Sequence, residues 1–276
     1  RDELVKAVKY FDEPFADTSI LFYYILCKNC SKNFKVCLSG DGADEVFYGY
    51  NFYRNITNTK TVFLKKLFKI ILFLSFINDK FYPLLNKFSY NSNEKYSLGC
   101  YGMSKYYIES IFGKITNNLN LPDINDITNL RNYDLNVNLP NYYLQKVDKI
   151  SMLNSLEVRV PFVDTEVLRV ANSINYKKFT NNSEGKILLK KIFKNDLPSS
   201  ILTRKKQGFV RDWKYIFKDD FEELYSYYVN TEIIELLNLN PKITKKILKY
   251  KTSINLLLQW RLLVFGIWYR ENYSFI

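Results

Sequence analysis

The segment Ser39-Gly40-Asp41-Gly42-Ala43-Asp44-Glu45 sets three carboxylates within five positions and places glycines at 40 and 42. It follows a short apolar run, Lys35 to Ser39, that reads as a strand. Glycine loops leaving strands bring backbone N–H groups close to phosphates, because the missing side chains let a ligand reach the main chain. Three carboxylates would repel a bare phosphate unless a divalent cation stood between them. The combination fits nucleotide–magnesium chemistry. An exposed acidic turn is the other reading of the loop taken alone.

Three further segments follow in order. They are Leu144-Gln145-Lys146-Val147-Asp148-Lys149-Ile150-Ser151-Met152, the stretch SLEVRVPFVD from Ser155 to Asp164, and Arg204-Lys205-Lys206-Gln207-Gly208-Phe209. With SGDGADEVFYGY and the opening Asp12-Glu13-Pro14-Phe15-Ala16-Asp17, this set closely resembles the synthetase domain of glutamine-hydrolysing asparagine synthetases. The resemblance runs from Asp2 to Trp213 and weakens beyond. It implies a ligase that uses ATP to adenylate the side-chain carboxylate of aspartate, releases pyrophosphate, and transfers glutamine-derived ammonia to give asparagine. The implied cofactors are ATP and Mg²⁺, and a glutaminase domain, in the parent chain or on a partner, is the implied ammonia source. Such chemistry needs a metal against the phosphate charge, a cation for the leaving pyrophosphate and a group that takes the ammonium proton.

Carried onto this sequence, the resemblance puts Ser39, Gly40 and Gly42 against the adenylate and Asp44 near Mg²⁺ and pyrophosphate. Asp44 also reads as a carboxylate facing a helix N-terminus, and Glu45 as the alternative cap. Asp41 stands where ammonia-using members carry an acid and β-lactam-forming relatives a tyrosine, so it favours amidation by an external nitrogen. Some asparagine synthetases carry Glu there, one methylene longer. Lys206 matches the lysine that neutralises departing pyrophosphate, a task suited to a compact ammonium on a flexible stem. Arg204 and Lys205 read as solvated cations, and Lys186 matches a family lysine without a firm role. Glu157 and Arg159 sit in an apolar segment and read as a buried pair. That pair either orients the site and substrate carboxylate, with Glu157 among the catalytic candidates, or is a structural ion pair. Asp148 and Asp164 read as caps.

Two parts of the family pattern do not occur in residues 1–276: a glutaminase domain opening on a nucleophilic cysteine, and a Ser-Gly-Gly-x-Asp-Ser pyrophosphate loop. The expectation is a synthetase-domain portion of a larger enzyme, inactive in isolation. Two alternatives remain: a relative acting on a glycan, cell-envelope or peptide carboxylate, and a non-catalytic remnant or scaffold. A homodimer is compatible with the resemblance.

Composition narrows the rest. A chain of 276 residues with 47% hydrophobic and 17% aromatic content buries a sizeable core and is not of the disordered class. The formal charge of +12 comes from scattered lysines, without an arginine-rich arm, so no nucleic-acid partner is expected. The joint abundance of Lys, Asn, Ile, Tyr and Phe matches A/T-rich codon use. Cys27 and Cys30 form a lone C-x-x-C, to which Cys37 and Cys100 add no second pair. Half-buried thiols in a reducing, cytoplasmic setting fit better than zinc or disulfides. There is no histidine, which excludes Ser-His-Asp and Cys-His nucleophile pairs. The most apolar run, Ile70 to Ile77, has eight residues against about 20 for a membrane span. Its flank, with Lys65, Lys66 and Lys69, reads as a core-facing helix rather than a membrane-surface one, so no membrane partner is expected.

The elements that must position these residues read as follows. Leu4, Val8 and Phe11 mark one face of a first helix, which Pro14 interrupts, and a second begins near Ser19. Lys35 to Ser39 reads as a parallel strand buried on both faces. After Tyr50 the periodicity is helical, with breaks at Pro83, Pro122, Pro140, Pro161 and Pro198 and polar loops at Asn91–Asn93 and Asn117–Asn120. Ile247 to Tyr269, with Trp260 and Trp268, reads as a core helix. The fold class is α/β and mostly helical: the C-terminal part of an adenine-nucleotide α-hydrolase-like (Rossmann-like) synthetase domain, with unpaired strand edges and exposed apolar faces that limit its solubility alone.

Overall fold

The computed structural model describes residues 1–55, 63–82, 84–85, 96, 102–103, 105–113, 126–181, 183–204, 220–240, 247, 249–250 and 252–273. The chain opens with helices α1 (Asp2–Lys9) and α2 (Ile20–Cys30), strand β1 (Val36–Leu38), and helices α3 (Ala43–Val46), α4 (Asn51–Asn55), α5 (Phe63–Ser75) and α6 (Lys105–Phe112). Helices α7 (Ile127–Tyr133) and α8 (Gln145–Leu153), strand β2 (Glu157–Arg159), and helices α9 (Thr165–Ser173), α10 (Ile187–Ile192) and α11 (Ser199–Thr203) follow. Last come α12 (Phe221–Tyr228), α13 (Thr231–Leu236) and α14 (Ser253–Tyr273). Pro83, Pro122, Cys100, Lys206 and the two asparagine-rich loops lie outside the described residues.

The chain divides into two compact units. The first comprises Arg1–Thr18, Asn58–Leu121 and Asp212–Ile276. Its centre is α14, whose Ile254, Leu258, Trp260, Leu263, Val264 and Ile267 are buried. Helix α1 applies the expected face, Leu4 and Val8, with Phe11 just beyond it, all fully enclosed. Trp260 is fully buried and Trp268 half-buried, and both satisfy their N–H groups, as enclosed indoles require: Trp260 donates to the Ala16 carbonyl at 3.1 Å and Trp268 to that of Phe11 at 3.0 Å. Gly266 allows α12 to approach α14, since a methyl there would meet the Tyr228 carbonyl. On α5, Phe68, Ile71 and Leu72 are buried as the core-facing reading expects, while Ile70 and Phe73 are exposed.

The second unit comprises Ser19–Thr57 and Pro122–Arg211. Strands β1 and β2 pair in parallel, Val36 with Glu157, Cys37 with Val158 and Leu38 with Arg159. Two bonds extend the ladder, Glu157 N–H to the Lys35 carbonyl (2.9 Å) and Ser39 N–H to that of Arg159 (2.8 Å). Burial on both faces is not what β1 shows: Val36 is 43% and Leu38 73% exposed. A strand is covered only by the layers packed on it, and among the described residues the sheet has two strands. The second strand, Glu157–Arg159, is one that the sequence pattern does not announce.

Pro140 does not break the helix it sits in. Helix α7 runs through a π-helical segment, Asp134–Leu144, directly into α8, with Pro140 inside it. A proline in an α-helix lacks the N–H and crowds the carbonyl four residues back; the wider i→i+5 turn relieves that conflict. Buried Asp134 accepts there from Tyr53 Oη at 2.5 Å and Asn138 Nδ2 at 2.6 Å. Pro161 and Pro198 behave as punctuation, at the first position of a 3₁₀ turn and at the N-cap of α11. No helix among the described residues is long and apolar enough to cross a membrane.

Candidate functional site

In open α/β sheets ligands collect at the carboxyl ends of parallel strands. Here both strands deliver sequence-predicted residues to that end: β1 runs into Ser39–Gly42, and β2 into Val160–Asp164. The β1 loop is tightly folded. Ser39 Oγ donates to the Asp41 carboxylate, and Asp41 N–H reaches back to Ser39 Oγ at 3.4 Å. Gly42 has φ +82° as the N-cap of α3, and a methyl there would strike Val163. Only glycine meets both demands cheaply. Gly40, in contrast, has open space where a side chain would project, leaving that stretch of main chain accessible.

Asp44 and Glu45 occupy the first turn of α3 but face different surroundings. Asp44 is partly exposed and paired with Lys186, Nζ to Oδ1 3.1 Å. Two glycines make the pair possible. A side chain at Gly49 would occupy the space of the Asp44 carboxylate and the Lys186 stem, and one at Gly185 would strike the Tyr48 carbonyl. Lys186 is itself left-handed, φ +59°, as the N-cap of α10. The residue without a firm role in the sequence is thus the one brought directly onto Asp44.

Glu45 is not a cap. It is 2% exposed and accepts from Tyr50 Oη at 2.6 Å. Burial pushes its carboxyl up to about 7, against the bond from Tyr50, which works to lower it. Burial and the nearby Glu45 push the Tyr50 phenol far upward, so it stays a donor. Arg131 Nε donates to the Glu45 carbonyl at 3.2 Å.

Glu157 and Arg159 pair as expected, Nε to Oε1 2.7 Å, but the pair is not buried: the side chains are 54% and 64% exposed. Positions i and i+2 of a strand share a face, and this face of β2 lies uncovered. Arg159 nevertheless adjoins the loop, through its carbonyl bond to Ser39. Asp164 caps α9 by accepting from Glu166 N–H at 2.9 Å, and Asp148 lies in the first turn of α8. Cys27 is buried and Cys30 and Cys37 partly so, all as free thiols.

Residues 1–270 match the family model described as asparagine synthase. The chain belongs to that family. It is 31% identical over 242 residues to asparagine synthetase [glutamine-hydrolyzing] 1 of Bacillus subtilis, covering 80% of this chain and 38% of that protein. A putative asparagine synthetase [glutamine-hydrolyzing] of Mycobacterium bovis is 29% identical over 237 residues, 77% of this chain and 36% of the relative. A putative asparagine synthetase [glutamine-hydrolyzing] 2 of Methanocaldococcus jannaschii is 32% identical over 182 residues, 58% and 34% of the two chains. The chain therefore spans less than two-fifths of these relatives' length. Family membership accounts for the parallel strand pair and for the α/β, mostly helical architecture.

Proposed function

We propose that this chain forms part of an ATP-dependent amide-forming ligase, one that adenylates the side-chain carboxylate of aspartate and passes glutamine-derived ammonia to it. The observation that supports this most directly is the Asp44–Lys186 pair beside an open glycine loop at the carboxyl end of two parallel strands. The accessible main chain at Gly40 suits close approach of a nucleotide, and Ser39, Gly40 and Gly42 are the residues assigned to it. For Mg²⁺ the donor chemistry fits: the metal binds through one or two carboxylates plus substrate phosphates, and Asp44 supplies a partly exposed carboxylate. When bound, the ion would offset phosphate charge. No cluster of three His, Cys, Asp or Glu side chains placed to hold a metal ion occurs among the described residues.

In this reading Lys186 holds the Asp44 carboxylate in place and shares its charge with incoming phosphate oxygens. Lys206, outside the described residues, is assigned to the departing pyrophosphate. Asp41, anchored by Ser39 Oγ, guides incoming ammonium and takes its proton, so that ammonia attacks the acyl-adenylate carbonyl and displaces AMP. Glu157 and Arg159 present an exposed ion pair on the strand beside Ser39, available to a substrate carboxylate. The test is AMP formation by the protein in its natural full length, supplied with ATP, Mg²⁺, glutamine or ammonium, and aspartate. AMP and asparagine should appear together, and Asp44→Asn should lower their rate about 100-fold. Absence of AMP with aspartate would remove the aspartate assignment; undiminished rate in Asp44→Asn would remove the site.

A further inference from the structure

Away from the Asp44 carboxylate, the second unit contains a cavity of about 430 Å³ whose wall includes Tyr48, Arg131, Asn132, Asn172, Asn175 and Tyr176. We propose that this cavity binds a small oxyanion, a carboxylate or phosphate carried on a polar molecule. The first ground is charge. Arg131 is 3% exposed, and among the described residues no carboxylate pairs with it. Its partners are neutral: the Glu45 carbonyl at 3.2 Å, the Asn172 side-chain oxygen at 2.6 Å and the face of Tyr48 at 5.3 Å.

A buried cation without a counter-charge is costly, and burial here pulls the Arg131 pKa down. Its Nη2 is buried and has no hydrogen-bond partner, which is rare for a buried donor. The second ground is the lining. It contributes amides and hydroxyls but no carboxylate, so nothing in the wall repels an anion. Of the two acids that flank α7, Asp126 caps that helix through Thr128 N–H at 2.8 Å, and Asp134 is engaged by Tyr53 Oη and Asn138 Nδ2. The third is size: the space exceeds that of a bare oxyanion, so the ligand carries a polar remainder that the asparagines can address. A guanidinium fixed by Asn172 is suited to such recognition.

Isothermal titration calorimetry of the full chain with inorganic phosphate in one arm and succinate in the other tests this without ATP or any amidation step, so its outcome is independent of the proposed ligase activity. Saturable binding of either probe is expected, and the arm that binds identifies the anion class. Arg131→Gln should weaken it at least about tenfold. Asn132→Asp, at an exposed position of the rim, should do likewise by charge alone and leaves the buried network untouched. The inference is overturned if neither probe binds at millimolar concentration, or if binding survives Asn132→Asp unchanged.

Discussion

Replacing Glu45 by Gln should turn a pH-dependent unit into a much less pH-dependent one. The buried carboxyl titrates at about 7 in the folded protein, against an ordinary value of 4.5. The folded state therefore holds this proton more tightly than the unfolded chain does. Below pH 4.5 both states are protonated, and the residue adds no penalty. As pH rises from 4.5 towards 7 the unfolded chain releases its proton first, and stability falls. Above 7 the loss is complete, at about 1.4 kcal/mol for each unit separating the two values, or roughly 3 kcal/mol. Near-complete burial means little of this is screened by solvent.

Gln is neutral at every pH and keeps an oxygen for the Tyr50 hydroxyl, which donates at 2.6 Å. Its extra N–H₂ needs a partner, and lacking one it costs about 1–3 kcal/mol at all pH values. The informative quantity is therefore the change with pH. Urea unfolding of both proteins across the range should show the difference, mutant minus parent, rising by about 3 kcal/mol from acid to neutral pH in favour of Gln. A difference that stays flat across that range would refute the reasoning, because it would mean that the carboxyl at 45 does not titrate between the two values.

Three other substitutions test separate parts of the site. Gly42→Ala forces a left-handed alanine against Val163 and should cost about 2 kcal/mol in urea unfolding; a loss below about 0.5 kcal/mol would show that the loop relaxes freely. Lys186→Gly removes a partly exposed ion pair while relieving a left-handed lysine, so stability should stay within about 1 kcal/mol of the parent. AMP formation by the full-length protein should nonetheless drop about 100-fold, and an unchanged rate would relieve Lys186 of its assigned role. Leu38→Lys alters a side chain that is 73% exposed, so folding stability should change by less than about 0.5 kcal/mol; light scattering should show reduced self-association, and equal scattering would mean that the open β1 face is not what limits solubility.

What the sequence disclosed follows the strength of its local signals. Leu4, Val8 and Phe11 announce α1 through spacing alone, and the tryptophan-bearing pattern announces α14, because long amphipathic or apolar runs leave few alternatives. The acidic loop is legible only together with the ordered motifs that follow it, because Asp-Gly steps mark ordinary turns as well. Strand β2 was harder. Glu157-Val158-Arg159 does alternate charged and apolar, as a half-exposed strand should, but three residues make a weak period, and the apolar neighbours Leu156, Val160 and Phe162 argue for burial. Arg131 had no signal at all: a single arginine in a polar helix is ordinary, and its enclosure depends on contacts with Glu45 and Asn172, remote in sequence. Lys186 is similar, since nothing in Gly-Lys-Ile foretells a left-handed lysine.

The strained positions bear on how the loop is held. Two of the non-glycine residues with positive φ, Tyr48 at 54° and Lys186 at 59°, flank the contact between Gly49 and Gly185. Each such residue carries a cost of about 1–2 kcal/mol, which persists only where the surroundings demand it. They do so here by removing side chains at the two glycines and replacing them with main-chain contact, so that the Tyr48 carbonyl lies on Gly185. One consequence is that the Lys186 ammonium reaches Asp44; another is that the Tyr48 ring faces Arg131. Tyr48 therefore belongs to both neighbourhoods, by its carbonyl to the Asp44–Lys186 pair and by its ring to the cavity wall.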